Sequence, residues 1–183
     1  MFAMRAQRLF AVLTLVNLAR CATTGEGAAR SSASETQPRR VLVGLVNKQQ
    51  IFDADARWQP AYERAVIDPE SVRALSAAPA GARVDVFLGT WCGDSVREVG
   101  RLLRYIDAMG AVPFELRLIA VDRSKSAPGF SEGMGLRYVP TFVVYREGRE
   151  VGRIIESPPT EIGHDLAALL SGAASGAISG RSL

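Results

Sequence analysis

Gly89-Thr90-Trp91-Cys92-Gly93-Asp94-Ser95 decides how this chain is read. It places one cysteine between an apolar run (Val84, Val86, Phe87, Leu88) and a segment from Ser95 to Met109 with helical periodicity. A cysteine at a strand-to-helix junction has its sulfur among the unpaired N–H groups of the helix start, at the positive end of the helix dipole. That position favours the thiolate, the reactive form of the residue. Three residues on, where a dithiol site needs its second cysteine, the chain has Ser95. Asp94 or Ser95 can cap the helix that follows.

Outward from this turn the elements alternate. Val84 to Leu88 is a strand, and Val96, Val99, Leu102, Leu103, Ile106 and Met109 give the next helix one buried face. Gly100 interrupts that helix at a cost of ~1 kcal/mol relative to alanine. Phe114 to Val121 reads as a second central strand, and Asp122 to Gly135 as a long polar connection holding a short helix. Thr141–Tyr145 and Glu150–Ile155 are strands joined by Arg146-Glu147-Gly148-Arg149, a hairpin signal. Thr160 to Leu170 is a final helix with Ile162, Leu166, Leu169 and Leu170 on one face. Upstream, Val41 to Val46 is a strand and Gln59 to Ala65 a short helix. Asp68-Pro69-Glu70 starts a helix that runs to Ala77 and is closed by Pro79-Ala80-Gly81. Helices between strands imply parallel crossovers, and the hairpin adds antiparallel strands, so the class is α/β with a mixed central sheet.

The chain has 183 residues, 48% of them hydrophobic and 22% charged, enough for one domain with a packed core. Its net charge of +3 comes from scattered arginines, which gives a solvated basic surface and no nucleic-acid signature. Two cysteines, Cys21 and Cys92, cannot build a disulfide scaffold. The single histidine, His164, reads as a helix-surface residue, and with two distant cysteines it makes no zinc site. No metal and no cofactor are expected.

The ends read differently from the middle. Arg5 and Arg8 precede an apolar run from Leu9 to Ala19 with the length of a secretory signal core. It is shorter than the ~20 residues of a membrane-spanning helix. Leu18-Ala19-Arg20-Cys21 resembles a bacterial lipoprotein signal, which implies lipidation of Cys21, although Arg20 stands where that signal has a small residue. An ordinary signal peptide cut near Ala22, or a cytosolic chain with an apolar start, are the alternatives. The reading is residues 1–20 as signal peptide, 21–39 as a flexible linker poor in large apolar residues, 40–170 as the folded domain and 171–183 as a fraying Ser-Gly-Ala-rich tail. Such a chain is exported, periplasmic or anchored to the membrane through Cys21.

The element order, Trp91-Cys92 at the strand-to-helix junction, Val139-Pro140-Thr141 before the hairpin and Gly148 at its turn together resemble the thioredoxin superfamily, roughly from Val84 to Leu170. More narrowly, Gly89 to Ser95 followed by Arg97-Glu98 looks like a bacterial thioredoxin-like subgroup with a Cys-x-Asp-Ser site. The resemblance implies a three-layer α/β/α domain. It implies Cys92 as the attacking cysteine, Trp91 as a flanking docking aromatic, and Pro140 in cis beside the cysteine, with the Val139 backbone offered to an extended substrate. Three positions depart from the pattern. Ser95 replaces the resolving cysteine. Val86 stands where many thioredoxins bury a carboxylate, and Asp85, one residue off, should face the other way. Asp94 replaces a proline, and its charge opposes the thiolate that the helix dipole and the Ser95 hydroxyl favour.

Two functions follow. The first is a one-cysteine thiol–disulfide protein in which Cys92 acts, with Ser95 in the resolving position. Its partners are a cysteine-containing protein or a low-molecular-weight thiol, and it needs an outside thiol for release. The second is a non-catalytic binding module using Trp91 and Pro140, in which Cys92 is an inert small hydrophobe, Trp91 covers core, Pro140 shapes a turn and Ser95 is only a cap. Peroxide reduction fits poorly, because Gly89 stands where the peroxidase motif has Thr or Ser.

Overall fold

The computed structural model describes residues 39–182. The signal, Cys21 and linker readings fall on residues outside that range, apart from the end of the linker. In chain order the elements are β1 (Gly44–Val46), α1 (Lys48–Ala54), α2 (Trp58–Arg64), α3 (Pro69–Ser76), β2 (Arg83–Leu88), α4 (Gly93–Met109), β3 (Glu115–Ala120), β4 (Thr141–Arg146), β5 (Arg149–Ile155), α5 (Ile162–Ser171) and β6 (Gly176–Ile178). They form one six-stranded sheet in the order β1-β3-β2-β4-β5-β6. β2 runs parallel to β3 and antiparallel to β4, so the sheet is mixed as expected.

Local chemistry accounts for most element ends. Asn47 and Gln50 form a reciprocal capping box at the start of α1. This helix is not among the elements expected from apolar periodicity, although Asn47-Lys48-Gln49-Gln50 carries its start signal. Asp68 caps α3 through the Ser71 N–H, with Pro69 in the first turn. The β4–β5 turn has Glu147 at φ 52° and Gly148 at φ 74°, the paired positive values of a hairpin turn matched to strand twist.

Strand alternation sorts the core. Val84, Val86 and Leu88 of β2 pack with Leu118, Phe142, Val144 and Ile154 against Ile51, Trp58, Leu75, Leu102 and Leu166, one from each helix. On the other face, Phe87, Ile119, Val121 and Val143 pack against Ala127, Val139, Phe130 and Leu136. The α/β class stands, but the layer over this second face is a correction. The short helix expected within 122–135 is absent, and turns cover the sheet there. Asp122 accepts the Ser126 N–H through its side chain, and Gly129, Gly133 and Gly135 all adopt positive φ. A side chain that bonds nearby backbone, followed by closely spaced left-handed glycines, gives the segment local alternatives to helix.

Asp85 does face away from Val86, on the Phe87 side, and is 2% exposed. The Arg117 guanidinium donates to both its oxygens, at 2.6 and 2.5 Å, and Arg83 lies 3.3 Å away and over the Tyr145 ring.

The C-terminal tail is the second correction. Instead of fraying after Leu170, the chain turns at Gly172 and adds β6 parallel to β5. The Gly152–Gly176 pair makes this possible. A Cβ on Gly152 would sit 2.6 Å from the Gly176 carbonyl and 2.6 Å from Leu169 Cδ2, so only a glycine lets the strands and α5 close together. Ser179 then donates to the Ile155 carbonyl, and the Gly180 N–H to the Ser157 carbonyl.

Candidate functional site

β2 delivers residues 89–92 to the start of α4, and the turn is held from several directions. Cys92 itself is the N-cap of α4, with no side-chain cap bond, in place of the expected Asp94 or Ser95. Its N–H donates to the Gly89 carbonyl at 2.9 Å, and its carbonyl accepts the Val96 N–H at 3.0 Å. The thiol is half-buried, and Sγ donates to the Val139 carbonyl at 3.3 Å. The Val139–Pro140 peptide bond is cis, and both residues are buried. Cys92, Val139 and Pro140, separated by 47 residues in the chain, therefore meet. The Val139 carbonyl, expected to be available to a substrate backbone, is bonded to the thiol in this state.

Ser95 is fully buried, and its Oγ accepts the Gly89 N–H at 3.1 Å. Its hydrogen bond goes to the strand end and not to the Cys92 sulfur, so it acts as a tie between β2 and α4. Trp91 is half-buried. Its indole N–H donates to the Val121 carbonyl at 3.3 Å, and Arg123 lies over the ring at 5.1 Å from its centroid. A Cβ on Gly89 would lie 2.8 Å from the Trp91 indole, so this glycine is what lets the ring fold back over the strand end.

Asp94 accepts from Arg97 at 2.8 Å, and Arg181 of the C-terminal segment approaches it at 3.7 Å. The charge expected to oppose a thiolate is therefore faced by two guanidinium groups. His164 lies exposed at the start of α5, bonded to Asp165. Among the described residues, no group of three or more His, Cys, Asp or Glu side chains is placed to hold a metal ion.

Several supporting residues carry no sequence signal, because their partners are more than 30 residues away. Trp58 donates its indole N–H to the Thr90 carbonyl at 3.3 Å, and the Thr90 hydroxyl donates to the Arg40 carbonyl at 2.7 Å. Arg57 donates to the Trp91 carbonyl at 3.2 Å and grips the buried Asp55 at 2.8–3.0 Å. The Arg57 pKa is raised, mainly by its hydrogen bond to Asp55 and in smaller part by the nearby Cys92.

Burial pushes the Asp55 carboxyl up, but hydrogen bonds from the Arg57 side chain and backbone outweigh it, and the pKa lies below the ordinary 3.8. A depressed carboxyl contributes stability that is fully present above its unfolded value and is lost as pH falls through the folded one. Asp55→Asn is expected to cost about 1.5–3 kcal/mol at pH 7, the range for hydrogen bonds to a charged group. The difference from the parent protein should shrink steadily as the pH falls below about 4. Urea unfolding at a series of pH values measures both. A deficit that persists undiminished in acid contradicts the assignment.

No protein-family model matches the chain, and no curated protein matches it. Among solved structures it is similar to a protein of unknown function from Pseudomonas aeruginosa. That likeness has 19% identity and a TM-score of 0.51, over 72% of this chain and 88% of the other. It also matches a mutant thioredoxin from Halobacterium salinarum at 18% identity and a TM-score of 0.39, over 59% of this chain and 86% of that one. Mitochondrial thioredoxin 3 from Saccharomyces cerevisiae, in its oxidized form, matches at 21% identity and a TM-score of 0.37, over 61% and 98%. With the mixed sheet, the helix that starts at Cys92 and the cis Pro140 before the hairpin, this chain has a thioredoxin-like fold.

Proposed function

We propose that the domain is a thiol–disulfide protein that works through one cysteine. The supporting observation is the position of Cys92. Cys92 is the N-cap residue of α4, and its half-buried sulfur lies 3.3 Å from the Val139 carbonyl, beside the cis proline. In the proposed reaction the Cys92 thiol gives its proton to solvent, and Sγ attacks one sulfur of a partner disulfide. The Sγ–S bond forms as the partner S–S bond breaks, and the other partner sulfur leaves as a thiolate. With Ser95 in the resolving position the mixed disulfide cannot close internally there, so release needs an outside thiol or a second cysteine on the partner. Trp91, Val139 and Pro140 line the approach, Asp94 with its arginines sets the charge beside the sulfur, and Ser95 holds the turn.

The partner class is a cysteine-containing protein or a low-molecular-weight thiol. The Leu9–Ala19 run and Cys21 support a meeting place in the cell envelope, with the domain exported or anchored. Incubation of the chain carrying Cys21→Ser with glutathione disulfide at neutral pH is expected to add one glutathione, which peptide mapping assigns to Cys92. Cys92→Ser abolishes that adduct. If Cys92 stays unmodified while a model thiol reacts, the proposal is wrong. The burial of Ser95, with its hydrogen bond directed to Gly89, also supports a second reading, a binding module that holds its partner without covalent chemistry. Under that reading Cys92→Ser keeps partner capture and Trp91→Ala weakens it.

A further inference from the structure

A groove of about 330 Å³ runs beside the first turns of α4, on the α2 side of the cysteine. Its lining is small and apolar at Ala61, Ala65 and Val96, and cationic at Arg64, Arg97 and Arg101. It opens at Gly93, the residue after Cys92, where nothing lies within 4 Å of the place a Cβ would take. Arg101 also borders a second groove of about 310 Å³, where Asp68 and Glu161 end the cationic stretch.

The arginines are unequally compensated. Arg97 faces Asp94 at 2.8 Å and the buried Glu98 at 2.6 Å. Arg101 reaches Glu98 only at 3.5 Å, and Arg64 is exposed and makes no ion pair among the described residues. Uncompensated positive charge therefore sits at Arg64, while Arg101 shares the Glu98 carboxylate with Arg97.

We infer that this groove seats the acidic flank of a partner polypeptide whose cysteine reacts at Cys92, an inference that rests on the thiol–disulfide reading. An α-helix rises 1.5 Å per residue, so Gly93 to Arg101 spans roughly 12 Å, the reach of about four residues of extended chain. Acidic side chains within about four residues of the partner cysteine fall beside the arginines. A small anion meets one arginine at a time, whereas a polypeptide held at its cysteine meets both. Charge complementarity of this kind acts mainly on encounter and on partner choice.

The test uses the full chain carrying Cys21→Ser, so that Cys92 is its one thiol. The probes are short peptides whose cysteine is a mixed disulfide with thionitrobenzoate, flanked on either side by Glu, Gln or Lys at the second and fourth positions. Attack by Cys92 forms the protein–peptide disulfide and releases coloured thionitrobenzoate. Release from a Glu peptide is expected to be about tenfold faster than from its Gln counterpart at low ionic strength, with the Lys peptide slowest. The preference should largely vanish at about 0.5 M salt. Arg64→Glu and Arg101→Gln should each reduce it while leaving the Gln-peptide rate unchanged. Equal Glu and Gln rates, or a preference untouched by both variants, overturn the inference. So does the mixed disulfide of glutathione with thionitrobenzoate reacting as fast as the Glu peptide, since with the same leaving group a short anion then suffices. If no peptide reacts, the thiol chemistry itself fails. The groove is then judged by fluorescence anisotropy of a labelled acidic peptide with serine in place of cysteine. Binding that is weakened by salt and by Arg64→Glu keeps the groove assignment, and absence of binding overturns it.

Discussion

Trp58→Ala is expected to lower the free energy of unfolding by about 3–5 kcal/mol, the largest effect of any single substitution argued from this structure. Trp58 has no exposed surface and packs in the helix-side core with Ile51, Leu75 and Leu102. Truncation removes its apolar burial, leaves a cavity and orphans the Thr90 carbonyl that its indole N–H satisfies at 3.3 Å. In a domain of this size the loss corresponds to a fall in melting temperature of roughly 10–20 °C, readable by far-UV circular dichroism. Trp58→Phe keeps most of the packing and loses the hydrogen bond, so its cost should be near 1 kcal/mol. It also unpins Thr90, two residues before the cysteine, so its rate of Cys92 alkylation by iodoacetamide should differ from the parent's. A Trp58→Ala loss below ~1 kcal/mol means the residue is not in the core as described.

The second large effect is an asymmetry. Arg117→Ala leaves the Asp85 carboxylate, 2% exposed, with Arg83 as its remaining cation at 3.3 Å. Breaking a buried pair from one side costs about 3–5 kcal/mol, and since the Arg117 side chain is 31% exposed we expect about 2–3 kcal/mol here. Asp85→Ala is expected to cost less, because both guanidinium groups already reach solvent and can turn outward. The double variant should recover most of the Arg117→Ala loss, since no buried charge is then left unpaired. A double-mutant cycle by urea unfolding measures this coupling. Equal costs for the two single variants, with simple addition in the double, contradict the buried-pair account.

How far the site was legible follows the distance over which each interaction acts. The junction at Cys92, the capping pattern at Asp68, the hairpin at Glu147–Gly148 and the helical face of α4 all depend on residues a few positions apart. The pairing of Asp55 with Arg57 is local too, but its meaning for the turn comes from Trp91, 34 residues on. The short helix expected within Asp122–Gly135 does not form, because left-handed glycines and the Asp122 side chain bonding Ser126 hold this polar connection in turns. The sequence of residues 171–183 reads as a tail because small residues bury little surface. Those same small residues let β6 approach β5 at Gly152 and bring Arg181 to Asp94.

From its residues alone the chain shows one cysteine ending an apolar strand and beginning an amphipathic helix, with serine in the resolving position. Those facts are set by residue identity and short-range periodicity. Packing is what makes Ser95 tie the strand end to α4, brings the Cys92 thiol to the Val139 carbonyl, and sets all five described helices on one face of the sheet. Each of these depends on which distant backbone groups are brought into hydrogen-bonding or van der Waals range. That is a property of the packed chain, and no local pattern encodes it.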